Sequence, residues 1–209
     1  MQTGTEIARP RGRPPGFDRD VVLRAALQRF RTYGFAATSL DELADATGLA
    51  RPSLYAAFGD KRSLYLAALA RTHDWLTESF RQLREADRPM PRMLRAVFRA
   101  GIDTYLTGEV GPSGCIAVNT AATEAVTDPD IRAALARILE LEDREIEAAL
   151  RQAGSPTPRA HANVVTAVLH SLSVRARAGE SREALERIAQ DCTDLIVAAS
   201  AVDSPPPPA

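Results

Sequence analysis

Long apolar runs are missing from this sequence: nowhere do apolar residues continue for close to the roughly twenty positions that a bilayer span needs. No secretory-signal pattern opens it. Its two cysteines, Cys115 and Cys192, are too few and too unrelated in position for a disulfide framework. These absences predict a protein of the reducing cytoplasm with no membrane partner. His73, His161, His170 and the two cysteines show none of the close spacings that make a metal site, so neither a metal nor a cofactor is expected. A G-x-S-x-G elbow, a phosphate-binding glycine loop and an H-E-x-x-H pair are all lacking. No enzyme is expected. No segment reads as a convincing strand, and no internal repeat is present. Lysine is nearly absent too: Lys61 is the only one, and arginine supplies the rest of the positive charge.

What is present is helical patterning and an uneven charge. At 209 residues the chain can bury a sizeable core. Its net charge of −1 hides a basic head, with 11 basic and 7 acidic side chains in residues 1–72, on a body with 15 basic and 20 acidic. A basic end suits a polyanionic partner. Residues 1–17 read as a flexible basic arm. Its Arg11-Gly12-Arg13-Pro14 resembles the core of peptides that lay arginines in a narrow minor groove; a solvated basic tail giving only general phosphate attraction is the other reading. Leu23, Leu27 and Phe30 mark a first helix, and Leu69, Leu76, Phe80 and Leu83 a long connecting one. Further helices are predicted through Met93–Tyr105, from Cys115 to about Thr127, from Pro129 to Gly154, through Val164–Leu172, and from about Ser181 to Ala201. Residues 203–209 form a Pro-rich tail with no fold of its own.

The most informative stretch is 34–61, which reads as two short helices around a tight turn. Thr38 and Ser39 can cap the first, and Asp41 and Glu42 place negative charge in its opening turn. Gly48 supplies the permissive backbone of the turn, and Pro52 suits the first turn of the second helix. Leu54 and Phe58 face inward, leaving Arg51, Ser53, Tyr55 and Ala56 to project elsewhere. Together these make a helix-turn-helix, a shape that fits the major groove.

The run from Asp18 to Leu69, with Phe30, Gly34-Phe35, A-T-S-L-D-E-L-A and the segment Ser53–Lys61, resembles the TetR family of one-component regulators. That resemblance implies an all-α fold: a three-helix helix-turn-helix domain over 18–70, joined by a long helix to an effector-binding and dimerisation domain over 71–202. It implies a dimer on a pseudo-palindromic double-stranded operator, acting as a repressor and released by a small-molecule effector. Pro52, Ser53 and Ala56 are expected at base edges and Arg51 at a base or a phosphate. Tyr55, Lys61, Thr38 and Ser39 are expected on phosphates. The effector pocket is expected among Trp75, Phe98, Tyr105, Cys115, Asn119 and His170, each of which also reads as ordinary core. Leu185, Ile188, Cys192, Leu195 and Ala199 form a heptad-like seam. With Val164, Val168 and Leu172 of the preceding helix, they are expected to make the homodimer interface. Cys115 follows Gly114 near a helix start, which fits a thiol sensor; a buried inert cysteine is the alternative. A dimeric helical small-molecule or thiol-reactive sensor or enzyme, without operator-specific DNA binding, is the competing function.

Overall fold

In a computed structural model, residues 16–202 are described, and they form helices with no strand among them. The basic arm with Arg11 and Arg13, and the Pro-rich tail, lie outside the described residues. The head comprises α1 (Arg19–Tyr33), α2 (Leu40–Thr47) and α3 (Arg51–Phe58). Helix α4 (Lys61–Glu85) runs from it into a body of α5 (Met90–Leu106), α6 (Ile116–Ala122), α7 (Glu124–Thr127), α8 (Pro129–Gln152), α9 (Pro158–Arg177) and α10 (Arg182–Val202).

Local chemistry sets most of these boundaries. Side-chain oxygens of Asp18, Asp60 and Asp128 accept the first free amides of α1, α4 and α8. Ser39 and Glu42 form a reciprocal capping box on α2. Prolines sit in the first turns of α3, α5, α8 and α9, where a missing N–H costs nothing. The single helix expected from Cys115 to Thr127 is two. Thr123, at φ −131° and ψ −84°, leaves the helical region and separates α6 from α7. Arg132 then donates to the carbonyls of Ala125 and Val126 at 2.7 and 2.8 Å, closing the short α7 against α8.

Two apolar clusters hold the molecule together. One joins α5, α9 and α10 through residues such as Phe98, Ile102, Leu172 and Leu185. The other begins in the head with Val22, Phe30, Leu43 and Leu54, passes through Tyr65 of α4, and continues into Ile116, Ile131, Leu135 and Ile138 of the body. Burying side chains of this size is worth roughly 1.5–3 kcal/mol each. The boundary drawn at residue 70 is therefore not a boundary in packing.

The C-terminal seam is only half as drawn from the sequence. Leu172 and Leu185 are fully buried within their own subunit, and Cys192 is buried beside them. These three belong to the protomer's core. Val164, Leu195 and Ala199 face outward, Leu195 with 72% of its surface exposed, while Val168 and Ile188 sit half-buried at the edge. A three–four spacing marks an apolar stripe; it does not say which of its two flanks meets the protomer's own core.

Candidate DNA-reading surface and junction cavity

The second helix of the turn motif stands out from the head. Gly48 takes a left-handed conformation (φ 69°, ψ 13°) that turns α2 into α3, and Leu54 and Phe58 anchor α3 from beneath. Its opposite face, Arg51, Pro52, Ser53, Tyr55 and Ala56, is exposed, with Tyr55 at 48%. Arg51 pairs with Asp41 across the turn. Ser39 is exposed, while its hydroxyl is engaged in the cap of α2.

Two of the residues expected on phosphates are placed differently. Thr38 is fully buried and its hydroxyl donates to the Gly34 carbonyl at 2.6 Å, which takes this side chain off the DNA-facing surface. The Lys61 ammonium is half-buried and donates to the carbonyls of Phe35 and Thr38 at 2.8 and 2.9 Å. It also lies 4.3 Å from the centre of the Phe35 ring, a cation–π contact. Phe35 in turn stacks in the Phe30–Phe35–Tyr65 cluster. Lys61 thus ties the segment entering α2 to the start of α4.

Below the head is a cavity of about 550 Å³, within the range of small-molecule pockets. Its wall is shared between the head and the body: Leu27, Gln28 and Arg31 of α1, Trp75, Leu76 and Phe80 of α4, Val97 and Tyr105 of α5, then Cys115 and Ile116, with Glu142 of α8 and Leu169 of α9. Of the residues expected to line a pocket, Trp75, Tyr105 and Cys115 come together here. Phe98 is buried in the α5 core instead. The Asn119 side chain is committed to the carbonyls of Arg31 and Ser113. His170 stands behind Glu142, with its Nε2 3.1 Å from the carboxylate. Burial pushes the Cys115 thiol up to about 11, and the neighbouring Glu142 charge adds to the effect. That is the reverse of thiolate activation. Burial also holds the Tyr105 phenol well above its ordinary value.

Arg31 was not anticipated from the sequence. It is buried, and its guanidinium donates to the Gly114 carbonyl, to Thr104 and Thr107 at the end of α5, and to the Gln28 amide oxygen. Its own backbone carbonyl accepts from Arg177 at 2.8 Å. The end of α1 is thereby locked to the ends of α5 and α9, where cations suit the unpaired carbonyls. A charge on an otherwise apolar stripe was the available signal: Arg31 follows Leu27 by four positions, and Glu142 follows Ile138 by four.

The exposed face of α3, held on a packed α1–α2–α4 frame, defines a helix-turn-helix regulator of transcription. Residues 22–68 match the model of bacterial regulatory proteins of the tetR family. The HTH-type transcriptional repressor ComR of Escherichia coli K12 is 31% identical over 191 residues, covering 88% of this chain and 90% of that one. The E. coli repressor BdcR is 27% identical over 174 residues, covering 83% and 86%. Among solved structures, the TetR-family regulator CifR, as a cysteine mutant complexed with 26-bp operator DNA, superposes with a TM-score of 0.75. It is 26% identical and covers 87% of this chain and 98% of its own. This chain belongs to the TetR family and is a DNA-binding transcriptional regulator.

Proposed function

We propose that the protein is a repressor that binds a pseudo-palindromic operator as a homodimer and leaves it when a small molecule fills the junction cavity. The observation that carries this reading is the composition of the cavity wall. α1 belongs to the DNA head, and it forms one side of the cavity while α4, α5 and α8 form the others. Filling that space and repositioning the head are then one event, which is what coupling between two sites requires. The repressor direction rests on ComR and BdcR, both of which carry that description.

In this reading Pro52, Ser53 and Ala56 meet base edges. Arg51 reaches a base or a phosphate, Tyr55 a phosphate, and the exposed start of α2 at Ser39 faces the backbone. The dimer forms through the outward flank of α9 and α10, where Val164, Val174 and Leu195 are large, apolar and exposed. Footprinting on the DNA upstream of the protein's own gene tests it. Two protected half-sites about one helical turn apart are expected, and protection should be lost with a cavity-binding small molecule. A single unsymmetrical site, or protection indifferent to every ligand that binds the cavity, would overturn it.

A further inference from the structure

The wall of the junction cavity carries one buried cation with no carboxylate beside it among the described residues. Five charged side chains reach it: Arg24, Arg31, Arg71, Asp103 and Glu142. Arg24 and Arg71, both less buried, share Asp20, Asp103 pairs with Arg182, and the Glu142 carboxylate lies 3.1 Å from His170 Nε2. Arg31 has no acidic partner among the described residues. Only 7% of it is exposed, and its guanidinium donates to neutral oxygens alone: Gly114, Thr104 and Thr107 carbonyls and the Gln28 amide. A buried charge is costly unless it is paired, and carbonyl dipoles compensate it only in part. Apolar side chains dominate the remaining wall.

Building on the reading of this cavity as the effector site, we propose that its ligand is an apolar carboxylate, with the hydrocarbon packed on Leu76, Val97 and Leu169 and the carboxylate on the Arg31 guanidinium. A carboxylate accepts from arginine more strongly than an amide carbonyl does, because both partners are charged and the geometry can be bidentate. A ligand ammonium is the competing class, since Glu142 is also on the wall. Glu142 already has the His170 Nε2 at 3.1 Å within the protein, whereas the Arg31 guanidinium faces neutral oxygens alone. The ligand would also reach the regulatory joint directly. Arg31 Nη2 is shared between Thr104, Gly114 and Thr107 at 2.6, 2.9 and 3.3 Å. An anion that draws this donor away loosens the end of α5 and the Gly114 segment from α1.

Octanoate, octanamide, 1-octanol and octylammonium share one chain and differ in the head group, and each is titrated into the full chain. Trp75 is the sole tryptophan and lies on the cavity wall, so its emission reports occupancy, with calorimetry alongside. Octanoate should bind at least about tenfold more tightly than the amide and the alcohol, the difference expected of a charge-assisted contact. In Arg31→Gln that preference should vanish while octanol affinity is retained. Equal affinity of the neutral compounds, tighter binding of octylammonium, or no response to any of the four would overturn the proposal. If Arg31→Gln fails to fold, the wild-type series alone decides. A parallel gel shift separates the two readings. Failure to bind DNA would sink the regulator model and leave the ligand series standing. Release of DNA by octanol as readily as by octanoate would keep the regulator and sink the carboxylate.

Discussion

Lys61 shows how much residue type alone leaves out about a side chain's surroundings. A solitary lysine at the end of a turn motif reads as a phosphate anchor, yet its ammonium rests on two carbonyls and an aromatic face. Lys61→Ala should leave those carbonyls short of a donor and cost about 1–3 kcal/mol of stability, measured by urea unfolding without DNA. The salt dependence of DNA affinity should stay unaltered; a slope lower by about one unit would restore the phosphate contact. For Cys115 the thiol is raised by burial from the ordinary 9.0 to about 11. The neutral form is favoured in the fold, so the stability it lends is present below pH 9 and is lost as pH rises through about 11. At pH 7.5 iodoacetamide should modify Cys115 in the native protein roughly a hundredfold more slowly than a free cysteine. Mass spectrometry of the native and denatured chain checks this, and rapid native labelling would contradict it. The contacts of Lys61 were not legible from the sequence, since they depend on which carbonyls the fold brings alongside; the buried, inert reading of Cys115 was open there, and its burial in the fold supports it.

At the scale of elements the sequence was far more legible. Ser39, Glu42 and Pro52 mark the starts of α2 and α3 through contacts two or three residues away, and these local signals need no tertiary context. The break at Thr123 was missed because nothing local forbids a helix there; it is the packing of α7 against α8 that demands it. The split of the α9–α10 stripe was missed for a related reason, because periodicity gives a face and not its neighbour. The connection between α5 and α6 depends on close backbone approach. A side chain at Gly108 would run into the Gly111 carbonyl and into Ser113. Gly108→Ala should therefore open that loop and destabilise the fold by about 1–3 kcal/mol, seen as a lower melting temperature; an unchanged melt would show that the loop can adapt. At their starts, the apolar contact between α4 and α8 is joined by ion pairs. Arg62 donates to Asp128 at 2.5 and 2.9 Å and to Asp130 at 2.6 Å, which holds the Asp128 carboxyl near 2. Asp128→Asn keeps a helix cap and removes the charge. Its amides at the start of α8 should exchange with solvent faster than in the wild type; unchanged exchange would mean that the cap, not the ion pair, holds this corner.

For the whole molecule, dimerisation is open to a sharp test because its candidate surface is exposed in the folded protomer. Leu195→Glu alters a side chain that is 72% exposed and should change protomer stability by no more than about 0.5 kcal/mol. It should nevertheless shift the sedimentation profile from dimer to monomer and weaken operator binding with it. A dimer that persists would move the interface elsewhere. The shared core leads further. Since Phe30 and Tyr65 pack in one cluster with Ile116, Ile131 and Leu135, the DNA-reading part is not an interchangeable module: grafted onto another regulator's body, it would arrive without the apolar bed on which it rests.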